Sequence, residues 1–376
     1  MSFSGFVVEE YLPALQSMLE FSEVAIELGP STLVWRGLIR VREKLTPQSF
    51  LKAITREIEE QLASKEQIFN FLTSVSMERP KANQCLQING AKLHILFGNY
   101  PARYNSRYDL LKKYGNNIAT NPESYCKVII EVKAKSPSSA VNRAFKSLDL
   151  QRAFWCLMGN SRLKITFGKP SLEPINVVRV GREHTLHFSN GEPAFDGIWF
   201  EPEFAEASPF RIEKPRISTL KSRLAIKQIS ESAFGEQLTS SLIKYVRALD
   251  HIDANTAFLR LWGAIEGLTS PGQADYDKVV RRCAFLFKDS DFHRQILEHL
   301  REFRNENIHK GEYSENARIH CFQLQYYYVN LIWFHIHNAK FFKSLNEANT
   351  FLDSSTDRNF LKRKIQLARK ALHFIR

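Results

Sequence analysis

No stretch of this chain stays apolar for the roughly 18 residues that a membrane-crossing helix requires, so no spanning segment and no membrane partner are expected. The opening residues, MSFSGFVVEEYLP, have no basic flank, no apolar stretch and two early glutamates. A secretory signal is therefore not expected, and the cytoplasm is the expected compartment. Cysteine is scarce and scattered (Cys85, Cys126, Cys156, Cys283, Cys321), with no Cys-x-x-Cys pair and no His at zinc-ligand spacing. Both a disulfide scaffold and a structural metal are disfavoured, and no cofactor is expected. There is no Gly-x-Ser-x-Gly elbow, and no cysteine lies beside a histidine in a segment that suggests a nucleophile, which removes the familiar nucleophile arrangements. A Gly-rich phosphate loop is also missing, so no nucleotide-driven mechanism is supported. Internal repeats and low-complexity tracts are absent as well.

What the sequence has is length, aromatic rings and positive charge. At 376 residues it is too long to be comfortable as one domain. The apolar share of 44% with 28 Phe can build aromatic-rich cores. A net charge of +12 and a pI near 9.4 favour a polyanionic partner, nucleic acid before a lipid surface.

The first half alternates strand and helix signals. STLVWRGLIRV (31–41) reads as a strand, and TPQSF opens a helix to about Val75 with Pro47 at its first position. QCLQINGAKLHILF (84–97) reads as a hairpin turning on Asn89-Gly90, and SYCKVIIEVKAK (124–135) as a strand followed by an amphipathic helix. RLKITFG, INVVRV, EHTLHFS and FDGIWFE then read as a meander of short strands. Residues 201–216, with three prolines and mixed charge, form a linker, after which only helices are expected: about 218–232, 235–250, 254–269, 275–288, 290–310, 315–342 and 355–375. The expected fold is an α+β domain over 1–215, with a largely antiparallel sheet, and an all-helical domain over 216–376.

The segment REFRNENIHKGEY (301–313) carries the most chemistry. His293, Leu297, Leu300, Arg304 and Ile308 step by three and four, so Arg304 shares a helix stripe with apolar residues, a costly place for a guanidinium unless an anion meets it. His309 stands about 140° around the helix, and the two converge only if the helix loosens at its end. Asn305, Asn307 and Gly311 favour that loosening. The bare spacing recurs at Arg179/His184, Arg182/His187 and Arg294/His299, where strand or mid-helix geometry splays the pair.

FLRLWGAIEGLTS (258–270), with its Trp-x-x-x-Glu helix, and FRNENIHKG (303–311), with its Arg-polar-x-x-x-His motif, together resemble the HEPN superfamily of helical ribonucleases, and more narrowly its Apea-like branch from bacterial defence systems. The resemblance covers roughly residues 232–345 and does not extend to residues 1–215. It implies metal-independent RNA cleavage at a composite cleft between two protomers, used as abortive infection against phage or as a toxin, with tRNA among the possible targets and an antitoxin or sensor protein as a possible partner. Carried over, His309 would be the acid-base, Arg304 would hold the scissile phosphate, and Asn305 would orient the His or donate to phosphate. Glu266 would pin Arg304, and Lys310 and Arg301 would contact the RNA backbone. Tyr313 stands at a different spacing from the tyrosine of some family toxins and inherits no role.

Other readings compete. A dimeric scaffold could hold nucleic acid without cutting it. Glu131 and Lys133, at the end of strand VIIEVKAK, could belong to a magnesium nuclease of the PD-(D/E)xK type, but the partner Asp on a preceding strand is missing: Asp109 falls in a helix and Glu123 in a turn. His335 and His337 suggest a metal only weakly, since residues two apart on a helix diverge.

Overall fold

The computed structural model describes residues 8–41, 45–115, 122–163, 173–272, 275–310 and 316–375. They fall into two compact units: unit 1 holds 1–151 and 178–211, and unit 2 holds 152–177 and 212–376. The chain therefore divides near the expected linker, but residues 152–177 group with the helical unit rather than with the first half.

Unit 1 opens with α1 (Val8–Ser17), α2 (Glu23–Leu28), α3 (Pro30–Arg40) and α4 (Pro47–Ala63). The expected strand over 31–41 is thus a helix. Pro30 occupies its first position, and Leu33, Val34 and Gly37 recur at helical spacing to face the buried Phe50 and Ile54 of α4. A methyl group at Gly37 would sit 2.8 Å from the Ile54 side chain, so glycine permits this close helix pairing. Thr46 and Ser49 form a reciprocal cap on α4, which ends at Ala63 rather than running to Val75.

The strand β1 (Gln67–Val75) takes up the rest of that segment, followed by β2 (Gln84–Ile88), β3 (Ala91–Ile95), α5 (Ser106–Tyr114), β4 (Cys126–Ala134), α6 (Pro137–Gly159), β5 (Glu183–Phe188) and β6 (Trp199–Phe200). The strands form one antiparallel sheet in the order β2-β3-β4-β1-β5-β6. The β2–β3 turn is the expected one, with Asn89 at φ 53° and Gly90 at φ 79°. Of the expected meander only the last pair forms among the described residues, EHTLHFS with FDGIWFE as the antiparallel β5 and β6. RLKITFG falls largely outside the described residues, INVVRV contributes a single bridge from Val180 to Val75, and β5 also pairs with β1. One sheet face buries Phe71, Val128, Ile130 and Val132, with Phe145 of α6 edge-on to Phe71 at 4.9 Å. On the other, Leu72, Leu96, Tyr104 and Ile129 form a second cluster.

Unit 2 is helical: α7 (Pro215–Ser230), α8 (Gly235–Ala248), α9 (Ala254–Thr269), α10 (Tyr276–Ala284), α11 (Ser290–Lys310), α12 (Ala317–His337), α13 (Leu345–Leu352) and α14 (Arg358–Leu372). Among the described residues its segments hold no strand. At the centre α9 packs on α8 and α12, and Tyr245 stacks on Tyr328 at 4.6 Å. Arg152 and Asp250 form a buried ion pair, joined by Asn176, which donates to Asp250 Oδ1 at 2.9 Å. Asn346 to Asn349, between the expected helices 315–342 and 355–375, read as a break in the sequence, yet they lie inside α13: Asn349 is buried and its amide donates to the Leu268 carbonyl, so it serves packing rather than chain reversal. No helix is long and apolar enough to cross a membrane among the described residues.

His335 of α12 is fully buried edge-on to Phe234, and neither ring nitrogen has a partner among the described residues. Burial pushes its pKa from 6.5 down to about 4, and His187 of β5 is pushed to about 4 for the same first cause. Between those values the unfolded chain takes up protons that the folded chain refuses. Stability is therefore full above about pH 6.5 and falls toward pH 4, by up to about 1.4 kcal/mol per pH unit for each group. Urea midpoints measured from pH 7 to 4 should show this slope, and His335→Leu should both flatten it and raise the neutral-pH midpoint.

Candidate nucleic-acid site on the helical unit

Helix α11 supplies the motif. Its Leu297, Leu300 and Phe303 are buried, with Phe303 edge-on to Phe258 of α9 at 4.8 Å, and this packing fixes the rotation of the helix. Near the same end, the Asn307 amide donates to Asn255 Oδ1 at 3.0 Å, tying the last turns of α11 to the first turn of α9. Asp253 caps that turn of α9 by accepting from the Asn255 and Thr256 backbone N–H groups.

Arg304 emerges half-buried from this stripe. Its guanidinium carbon lies 4.2 Å from the centroid of the Tyr276 ring, and Nη1 donates to Asn305 Oδ1 at 3.2 Å. Among the described residues it has no carboxylate partner. In this it differs from the two buried arginines among the described residues of the unit: Arg152 is bound to Asp250, and Arg282 to Asp353 at 2.6 Å. A guanidinium lying over a ring satisfies its π face and leaves its edge N–H groups available. Tyr276 is the first residue of α10, positioned by the Asp275 cap, with its own ring edge-on to Trp262 of α9 at 6.4 Å. Sequence reasoning missed Tyr276, and no spacing rule ties it to Arg304 across the intervening helices.

The other expected site residues distribute as follows. Asn305 is brought together with Arg304. Glu266 is not: among the described residues no hydrogen bond or ion pair joins it to Arg304, so the expected pin is replaced by the Tyr276 ring and Asn305. Glu266 instead lines a groove of about 360 Å³ with Lys244 and the glycine-bare face of Gly263 and Gly267. Arg301 pairs with Glu298 at 2.7 Å and with Asp277, so its charge is largely answered within the unit. His309 and Lys310 belong to the final turn of α11, and their side chains lie outside the described residues, as do Gly311 and Tyr313.

The competing sites are occupied by ordinary contacts. Glu131 pairs with Lys92 of the neighbouring strand at 2.7 Å, Lys133 is exposed, and Asp109 lies in α5. His337 stacks on Trp333, diverging from the buried His335. Among the described residues no three His, Cys, Asp or Glu side chains converge as a metal-binding group.

Compared with protein-family models, curated proteins and solved structures, the chain has no match in any of the three.

Proposed function

We propose that this protein is a metal-independent endoribonuclease of the HEPN type, acting as a homodimer in the cytoplasm of a prokaryote as an anti-phage or toxin effector. One observation carries the reading. A half-buried guanidinium at the end of α11 is held by a ring and an amide rather than by a carboxylate, among the described residues, and so keeps donors for a phosphate. In this reading Arg304 binds the scissile phosphate and stabilises charge developing on its oxygens. His309, five residues on, takes the ribose 2′-hydroxyl proton and returns one to the leaving oxygen. Asn305, already bonded to Arg304, fixes the orientation of the guanidinium, and Lys310 contacts the backbone. The excess of basic residues, +12 overall, favours encounter with RNA.

Attack by the 2′-oxygen closes a five-membered ring on phosphorus and expels the 5′-oxygen, so the products are 2′,3′-cyclic phosphate and 5′-hydroxyl ends. Cleavage of total RNA should persist in EDTA and leave those ends, detected by end-specific ligation. Activity lost on chelation and restored by magnesium would transfer the chemistry to Glu131 and Lys133. Purified protein that retains RNA without cutting it would leave the non-catalytic scaffold.

A further inference from the structure

Unit 1 holds a recess of its own. Residues 99–111 cross the sheet face that carries Leu72 and Ile129. Tyr100 anchors them by donating to the Thr73 carbonyl at 2.5 Å, and Arg107 by donating to Thr185 Oγ1 at 2.7 Å and the Glu183 carbonyl at 2.9 Å. Between this segment and Lys127 of β4 opens a cavity of about 340 Å³. That volume is at the small-ligand end of the usual range.

Three features of its lining ask for a ligand. Lys127 is half-buried, and among the described residues its ammonium makes no ion pair and no hydrogen bond. Burial, with the Arg107 and Arg79 guanidinia nearby, holds its pKa below the ordinary lysine value, a cost that an anion would offset. Tyr104 is 2% exposed, and its hydroxyl has no hydrogen-bond partner among the described residues. Tyr108 is its opposite: 74% exposed, its ring forms part of the rim and covers nothing.

We propose that this recess binds a nucleoside phosphate. The phosphate meets the Lys127 ammonium in a charge-assisted hydrogen bond and reaches the Tyr104 hydroxyl by a small shift of that ring. A base stacks on the open face of Tyr108, where an aromatic ring accepts any base. Glu123 and Glu183 also line the recess. The exposed Glu123 carboxylate is unfavourable to a bare phosphate but accepts hydrogen bonds from ribose hydroxyls or base amino groups, so the site selects the whole nucleotide. Arg107, whose donors go to backbone carbonyls and Thr185, contributes its field and stacks at 5.3 Å from the Tyr100 ring centroid. A free mononucleotide and the phosphorylated end of a strand present the same group. The inference does not depend on the ribonuclease reading of unit 2.

Calorimetric titration of the full chain with AMP, CMP, GMP and UMP should show one-to-one binding of at least one. Its parent nucleoside and inorganic phosphate should each bind at least about tenfold more weakly. Lys127→Met and Tyr108→Ala should each weaken that binding by about tenfold, with unchanged melting temperatures. A 5′-phosphorylated DNA trinucleotide that binds more tightly than any mononucleotide would assign the site to strand ends; weaker binding would assign it to free nucleotides. The proposal is overturned if none of the four nucleotides binds, if phosphate or nucleoside binds as tightly as the nucleotide, or if both folded variants bind like the wild type.

Discussion

His309→Ala is expected to reduce single-turnover RNA cleavage by roughly a hundred- to ten-thousand-fold, the usual contribution of a positioned proton-transfer group. RNA affinity should hardly change, because a neutral imidazole offers few contacts to phosphate. Arg304→Lys should be nearly as damaging. Lysine keeps the charge, but it loses both the planar face that lies over Tyr276 and the edge donors that grip a phosphate. Lys310→Ala should instead weaken binding and reduce its salt dependence by about one phosphate contact, with turnover at saturation preserved. Cleavage rates, filter-binding affinities and melting temperatures on the same preparations separate these effects. Were the segment only a solvated helix end, all three changes would shift stability by no more than about 0.5 kcal/mol and leave the measured activity untouched. Wild-type cleavage by purified His309→Ala would end the proposed mechanism.

The largest expected loss of stability comes from Asp250→Ala. Arg152 is fully buried, and its Nη2 donates to both carboxylate oxygens of Asp250 at 2.8 Å, while Asn176 also donates to the Val246 carbonyl. Removing the carboxylate takes both of these charge-assisted hydrogen bonds from a guanidinium in the interior, at a cost of about 3–5 kcal/mol. Replacing both charges by apolar groups of similar size should recover most of that loss, since the pair is costly to break and contributes less to net stability than its contacts suggest. Denaturant unfolding of Asp250→Ala beside the Arg152→Met/Asp250→Leu double variant measures both. If the single variant unfolds within about 1 kcal/mol of wild type, the buried pair is not the strut described here.

The helices of unit 2 were legible because their signals were redundant. At α9 and α11 the apolar period and polar flanks agreed, and both run over the residues that the sequence indicated. The Asn89-Gly90 turn was equally readable, since few other pairs accept two positive φ angles in succession. Failures came where a local signal was ambiguous. Over 30–40, β-branched and aromatic residues imitate a strand, and only the pairing of Leu33 and Val34 with Gly37 betrays a helix that meets α4. Asn349 looked like a breaker because an asparagine that turns inward to a carbonyl cannot be told from one in a turn. At the candidate site, Arg304 and Asn305 were evident from their stripe. Tyr276 was not, because the contact joins two helices whose register the sequence does not encode locally.

The grouping of residues 152–177 with the helical unit affects how the chain matures on the ribosome. Arg152, Asn160 and Asn176 emerge well before Asp250, Tyr245 and Gln325, the groups they bind in the finished protein. At roughly 5–20 residues per second, Asn176 waits on the order of 4–15 s for Asp250. Throughout that interval an arginine destined for complete burial lacks the Asp250 carboxylate it binds in the finished protein. Cutting the gene at the apparent linker would make the wait permanent, so a fragment ending near residue 215 should be recovered in aggregates or bound to chaperones, while the intact chain folds.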